Sequence, residues 1–478
     1  MLPVLIVSCM QTEKINLLTS GDNIRISSAD THLVSVFNWA RKTSDGYLGS
    51  DNDPSGPWYE AALPGREAFC IRDVSHQCIG AEILGHSRQN LNMFRSFVRN
   101  ISEKKDYCSF WEINRYDKPA PVDYISDDDF WYNLNANFDI IDACYKLYQW
   151  TGDTTYIFNR DFDRFFRLTL NEYIDRWQLQ PDRIMSRPPL MNLRPSTLKY
   201  RNARGIPSYD ESQEEISVSS DLIGMICNGF AKYAAILKMK GEDSLSSFYQ
   251  DRSDQYLNLI DSLWWDEGKR DYHGFYKYHD GFSGGGISNS EFLLWYGIIS
   301  DPERINSSLD HIKNSQVEVL SYLPLLFYRY GMNDEAYNFL MKIYTDKRRS
   351  YPEASCGAVE GIISGLMGIR PDASHNLIMT CPHLAADEKW VQADNVPVFS
   401  GLISVRHLSN TASIFANKSG RVVNWMPVFY GNFSQIRIGK DLFSASTGKD
   451  DRGTDCSFTV VKVKPGEQVA AEAEGMQH

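Results

Sequence analysis

Four stretches of this 478-residue chain gather side chains that could do chemistry. "GREAFCIRDVSHQCIG", from Gly65 to Gly80, sets Arg66, Glu67, Arg72, Asp73 and His76 where an apolar helix begins. "DYCSFWEINRYDKPAPVDYISDDDFWYNLN" holds Trp111, Glu112, Asp123, Asp127, Asp128, Asp129, Trp131 and Tyr132; "GIPSYDESQEE" holds Tyr209, Asp210 and Glu211; "DEGKRDYHGFYKYHDGFSGGG" follows from Asp266. Carboxyl groups beside guanidinium and imidazole groups move protons or hold ion pairs. Flat aromatic rings with polar rims stack on sugar faces.

The elements that must position these groups are read from apolar periodicity. Spacings of three and four residues predict helices over 30–42, 74–86, 89–102, 135–150, 155–177, 221–240, 244–264, 289–299, 303–314, 317–330, 333–346 and 356–367. Short turns such as "TGDTT" and "KGEDS" join them in pairs, as a C-cap followed by an N-cap does. Between pairs the connections are long: 43–72, 103–134, 178–220 and 265–288, with a shorter one at 347–355. Six hairpins with tight turns at one end and long loops at the other describe an (α/α)6 barrel. The long loops then converge over one mouth, and long structured loops in a compact domain are usually functional.

From about residue 373 to 470 the pattern becomes one of short alternating or β-branched runs, "HNLIMTCPHL", "GLISVRHL", "ASIFANK", "RVVNWMPVF", "SQIRIG" and "CSFTVVKVK", which predicts a small antiparallel β-sandwich after a barrel spanning 21–372. Residues 471–478 are expected to be a frayed tail. The net charge of -12 argues against nucleic acid as partner. No run of 18 apolar residues is present. The nine cysteines lack zinc spacing, no metal site is motivated and no organic cofactor is implied. Cys9 stands apart: "MLPVLIVSCMQTEK" is similar to a lipoprotein signal ending at a lipidated cysteine, although its charged leader region is missing. The expectation is a segment 1–20 of signal and tether, hence an exported, periplasmic or outer-membrane-anchored lipoprotein of a Gram-negative bacterium.

"YKLYQWTGD" (145–153), "YLPLLFYRYGMNDEAYNFL" (322–340), "YPEASCGAVEGIISGLMGIRPD" (351–372) and "KWVQADNVPVFSGLISVRH" (389–407) together resemble the six-hairpin glycoside hydrolases, most of all the α-L-rhamnosidase branch. The resemblance covers most of 66–410 and implies hydrolysis of an oligo- or polysaccharide with inversion. It places the base in an aromatic-x-Glu motif before the last inner helix, here Glu353 in "SYPEAS", with Glu360 next in line. It places the acid in the charged stretch entering an early inner helix, here Glu67 or Asp73, weighed against Glu112, Asp210 and Glu211. The family's tryptophan and tandem acids in that stretch are replaced by Phe69, Cys70 and Ile71. Glycosidic cleavage needs one protonated carboxyl for the leaving oxygen and one ionised carboxylate to activate water or attack. Arg66, Arg72, Trp111, Trp131, Tyr132, Tyr209, Glu211, Glu360 and His76 would then bind the sugar.

Structural roles compete with each of these. Asp73 stands where an N-cap belongs, Glu67 could pair with Arg66 or Arg72, and Glu353 suits the first turn of a helix. Two other functions stay open at this level: a lyase or epimerase using His76, Tyr209 and Arg204, and a glycan-binding lipoprotein without catalysis.

Overall fold

The computed structural model describes residues 23–188, 199–200, 203–211, 216–284, 290–314, 321–386 and 389–476. Cys9 with its preceding apolar run, residues 212–215 of the third loop and 285–289 of the glycine-rich stretch lie outside the described residues.

Among the described residues, the chain as far as Leu366 is dominated by helices: Thr31–Asp45, Ile71–Ile83, Ser87–Arg99, Ala136–Thr151, a broken run over 155–176, Ser220–Met239, Asp243–Leu263, Ser290–Trp295, Pro302–Asn314, Leu323–Arg329, Asn333–Thr345, and Pro352–Glu360 continued by the π-helical Gly361–Leu366. Burial alternates along this series. Ser87–Arg99 buries one stripe, Asn90, Met93, Phe94, Phe97 and Val98, whereas its predecessor Ile71–Ile83 buries ten of its thirteen residues. A helix covered almost all round is an inner one. The inner helices meet in sequence: Ile71–Ile83 packs on Ala136–Thr151, which packs on Ser220–Met239, which packs on Ser290–Trp295, while Pro352–Glu360 packs on Ile71–Ile83. Ser220–Met239 is long and apolar enough to cross a membrane, and its side chains are instead mostly buried inside the fold.

Two inner helices approach closely because glycine allows it. A Cβ on Gly80 would stand 2.2 Å from the backbone oxygen of Cys356, and one on Gly357 would stand 2.3 Å from that of Ser321. Both inner helices also start earlier than the apolar spacing predicts. Ile71–Ile83 begins directly after the strand Ala68–Cys70, with Cys70 in extended conformation at the N-cap position and no side-chain cap. Pro352 occupies the first turn of the last helix, a position that suits its fixed φ and missing N–H. Asp73 is therefore a first-turn residue of its helix and not its N-cap, because the helix starts two residues before it.

The C-terminal region is rich in sheet. Among the described residues, one antiparallel sheet has the strand order Arg25–Ser28, Val391–Val398, Gly401–Ser409, Ala412–Asn417, Gln468–Met476, Phe433–Ile438, Asp441–Ser444. The second runs Arg370–Asp372, Leu377–Thr380, Val423–Tyr430, Asp455–Phe458, Ser446–Lys449, with Val461–Val463 also on Val423–Tyr430. Phe415 and Trp425, fully buried, stack at 5.2 Å between the sheets. Three features differ from the sequence expectation. Leu377–Thr380 and Val423–Tyr430 pair in parallel, so the region is not wholly antiparallel. The expected tail is a strand through Met476, because Ala412–Asn417 and Phe433–Ile438 offer it partners on both sides. The segment Arg25–Ser28 belongs to this sheet and not to the helical region, its ladder to Val391–Val398 supplying its hydrogen bonds.

One hydrophobic core runs through both regions. Trp150 donates its indole N–H to the Pro397 carbonyl at 2.7 Å, and Arg452 donates to the Tyr330 carbonyl at 2.7 Å. The described cysteines are free thiols, buried except for the half-buried Cys456.

Candidate active site

The early start of the two inner helices decides which side chains share a face. On Ile71–Ile83, residues 73, 76, 77 and 80 follow the three- and four-residue spacing of a single stripe; on the last inner helix, 353, 357 and 360 do the same. The two packed helices line one cavity of about 290 Å³, which receives Arg72, Asp73, His76 and Gln77 from the first helix and Glu353, Gly357 and Glu360 from the last. Tyr209, Asp210 and Glu211 enter after the strand Arg204–Ile206. Phe292 and Trp295 come from Ser290–Trp295, Ser321, Tyr322 and Leu325 from around the start of Leu323–Arg329, and Arg348 from the turn before the last helix.

Charge is concentrated at the outer end of the two stripes. Arg72 approaches Asp73 at 3.4 Å and Glu211 at 3.1 Å, with its guanidinium over the Trp111 ring at 5.4 Å. Asn133 also donates to Glu211, at 3.2 Å. Arg348 stands 3.8 Å from Glu353. Burial raises the Asp73 carboxyl above its ordinary range, against the pull of Arg72 and His76. Burial raises Glu353 too, and the nearby Asp73 charge adds to the effect. The Asp73 charge therefore acts on Glu353, and the two carboxyls do not ionise independently.

Deeper in the helices, Glu360 is pushed up to about 7 by burial, against the attraction of Lys146 and with the Asp142 charge adding to the rise. Lys146 pairs with Asp142 at 2.6 Å, and Asn228 donates to Asp142 at 2.8 Å. A second buried network sits behind His76. Its Nε2 lies 3.3 Å from Asp139 Oδ1, the Tyr209 hydroxyl donates to the same oxygen at 2.5 Å, and the Tyr296 hydroxyl is 2.6 Å from that of Tyr209. Aromatic rings continue the lining from His76: Tyr209 and Phe292 have ring centroids 4.5 Å apart, Phe292 and Tyr322 5.4 Å, and Trp295 and Tyr322 5.3 Å. The cavity thus offers aromatic faces beside carboxyls, a combination suited to a sugar ring with an apolar face and a polar rim. Among the described residues, no group of three His, Cys, Asp or Glu side chains is placed to hold a metal ion.

Of the residues singled out in the sequence, the structure brings Arg72, Asp73, His76, Tyr209, Asp210, Glu211, Glu353 and Glu360 together at this cavity. It keeps the others away from it. Glu67 has a left-handed backbone, φ 50°, and an exposed side chain paired with Arg115 at 2.7 Å. Arg66 donates to Glu112 at 2.7 Å. Glu112 is buried beside Asp123 and is pushed up to about 8 by that burial and by its carboxyl neighbour. Tyr132 is fully buried, its hydroxyl donating to Asn137 at 2.6 Å; Trp111 is nearly so, and Trp131 packs against the core. These three rings form no sugar platform because their loop folds back onto the helices; Trp111 instead backs Arg72. The His76, Tyr209 and Arg204 set is dispersed as well, since Arg204 is 1% exposed and lies 3.4 Å from Asp106.

The sequence reading missed Gln77, Phe292, Trp295, Tyr322 and Arg348. Phe292 and Trp295 sit three apart in an apolar helix, a spacing that reads as core. Gln77 was detectable as the one polar residue between His76 and an apolar run.

No family model matches the sequence, and no curated protein matches it. Solved structures do share its fold. A family GH78 rhamnosidase of Bacillus sp. GL1 superposes with a TM-score of 0.59 at 12% identity over 84% of this chain and 41% of that one. An α-L-rhamnosidase from Dictyoglumus thermophilum gives 0.60 at 12% identity over 95% of this chain and 50% of that one. A protein described as a kojibiose phosphorylase from the human microbiome gives 0.57 at 10% identity over 93% and 68%. The resemblance to the rhamnosidase-like branch holds at the level of fold, and the chain spans about half the length of the rhamnosidases that it matches.

Proposed function

We propose that the helices close a six-hairpin (α/α)6 toroid whose mouth opens onto the cavity, and that the protein is a glycoside hydrolase using Asp73 and Glu353 as its carboxyl pair with inversion. The observation that supports this reading is the electrostatic linkage of Asp73 and Glu353 in one cavity that also carries an aromatic wall. Of the candidate acids, Asp73 is the one that shares the cavity with the "SYPEAS" glutamate in this linked way.

We assign the roles from the surrounding charge. In this assignment Asp73, in contact with Arg72, is the ionised partner, and Glu353, raised by burial and by the Asp73 charge against the pull of Arg348 and Arg72, is the protonated one. In the proposed reaction Glu353 gives its proton to the leaving glycosidic oxygen, and Asp73 takes one from the water that attacks the anomeric carbon. This reverses the order that the sequence resemblance implies. His76, braced by Asp139, sits one turn below Asp73, where it can fix a substrate hydroxyl.

Aryl glycosides of graded leaving-group acidity test the roles. The reading expects Glu353→Gln to lose activity on poor leaving groups by several orders of magnitude and to keep much of it on dinitrophenyl glycosides, which depart without a proton. Asp73→Asn should lose both alike. The opposite pattern would return the roles to the order of the resemblance, and unchanged activity in both variants would remove the pair from the mechanism. The likeness to a protein described as a phosphorylase supports a second reading, in which Arg72 and Arg348 seat phosphate in place of water. A phosphate requirement for turnover and a sugar phosphate as product would identify it.

A further inference from the structure

Past Asp73 and Glu353, the same two helices carry polar groups that the proposed cleavage does not use. Gln77 is 3% exposed, it faces the cavity, and its Oε1 has no hydrogen-bond partner. A buried amide oxygen left unpaired costs about 1–3 kcal/mol, which a fold retains where a ligand supplies the missing donor. Glu360 is 8% exposed, also faces the cavity, and its carboxyl makes no hydrogen bond to protein among the described residues. It lies seven residues beyond Glu353, about 10 Å further along the helix at 1.5 Å per residue. Lys146 and Asp142 lie close enough to act on its charge.

An amide oxygen that only accepts, beside a carboxyl group that both donates and accepts when protonated, suits alcohol groups. At this end of the cavity, away from Arg72 and Arg348, neither a second carboxylate nor a phosphate fits, because each would bring negative charge against Glu360. An apolar group would leave Gln77 Oε1 unpaired.

We propose that Gln77 and Glu360 form a recognition subsite for the hydroxyl groups of the uncharged sugar unit held in the cavity, distinct from the pair that breaks the bond. The proposal rests on the reading of the cavity as a sugar site. Gln77 Oε1 accepts from one hydroxyl and Glu360 engages another, so the unit is chosen by the placement of its hydroxyls.

The test is equilibrium binding of neutral monosaccharides, followed by tryptophan fluorescence or calorimetry, to the full chain carrying Glu353→Gln so that nothing turns over. Once a binding sugar is found, Gln77→Leu and Glu360→Gln are added singly. Gln77→Leu should weaken binding about tenfold or more, because a hydroxyl loses the amide acceptor. The deoxy sugar lacking the hydroxyl that meets Gln77 should bind Gln77→Leu and its parent alike. Gln77→Asn, which keeps the amide on a shorter arm, should bind between the two and guards against a folding defect in the leucine variant. Equal affinity in all variants, with the sugar still bound, would overturn the subsite and leave the sugar-site reading standing. Failure of every neutral sugar to bind, with oligosaccharides also untouched by the wild-type chain, would overturn both.

Discussion

Replacing Glu360 by glutamine should make the protein more stable, by an amount that depends on pH. In the unfolded chain the carboxyl titrates near 4.5, and in the fold it is pushed up to about 7, chiefly by burial. Below pH 4.5 it is neutral in both states, so the group favours folding fully there. As pH rises toward 7 the unfolded chain gains by ionising while the folded chain does not, and stability falls. The shift of about 2.5 units corresponds to about 3 kcal/mol lost by pH 8, with about 1 kcal/mol of that already gone at pH 5. At 8% exposure the group is screened little by solvent. Glutamine is uncharged at every pH, so the variant's stability relative to wild type should rise by about 2 kcal/mol between pH 5 and pH 8. Urea unfolding of both proteins across that range, followed by tryptophan fluorescence, measures the difference. An advantage that stays flat with pH, or grows toward acid, would refute the placement of Glu360 as a buried carboxyl with insufficient positive charge around it.

Other consequences follow from the same geometry. Glu67→Ala removes a surface pair with Arg115 and should change stability by less than about 1 kcal/mol while leaving turnover intact; a large loss of kcat would return Glu67 to the mechanism. Gly80→Ala places a methyl 2.2 Å from the Cys356 carbonyl oxygen, so the two helices must part. It should destabilise by about 1–3 kcal/mol and depress kcat by disturbing Asp73 and Glu353, whereas Gly284→Ala, which meets nothing within 4 Å, serves as the neutral control in a thermal melt. Tyr209→Phe deprives the buried Asp139 of a donor at 2.5 Å, costing about 1–3 kcal/mol, and should raise KM through His76; a melt and a KM both unchanged would show that the network is not coupled to the cavity.

Much of the fold was legible in the sequence, because helical periodicity survives wherever one face of a helix is buried. Most of the expected helices overlap described ones, although among the described residues 289–299 and 317–330 are helical only over Ser290–Trp295 and Leu323–Arg329 and 155–177 is broken, and the strands at 377–380, 401–409, 412–417, 423–430 and 433–438 lie where two-residue spacing puts them. Helix starts were less legible. Ile71 and Pro352 begin helices through backbone events, a strand running straight into a turn and a proline at the first position, which apolar spacing does not report. That error of three or four residues decides whether Asp73 caps a helix or faces a cavity. The aromatic platform was misplaced for a different reason. Trp111 and Tyr132 stand among polar residues in sequence, yet those neighbours are satisfied within the loop; Phe292 and Trp295 stand in an apolar helix, yet its inner side borders a void. The strand Gln468–Met476 was missed because its run of alanine and glutamate has low β propensity, and only two waiting neighbours make it a strand.

The pairing of Arg25–Ser28 with Val391–Val398 also sets a timetable. Ser28 meets Trp390 across 362 residues, so a strand that leaves the ribosome before any of the helices finds its partner only after all of them. At about 5–20 residues per second, that wait lasts about 20 to 70 s. Throughout it the strand keeps an open edge while the helices beside it are already able to pack. Nascent chains arrested before residue 391 would leave that strand free to pair with the wrong neighbour, and a chaperone that holds the early segment would act on yield without touching the final stability.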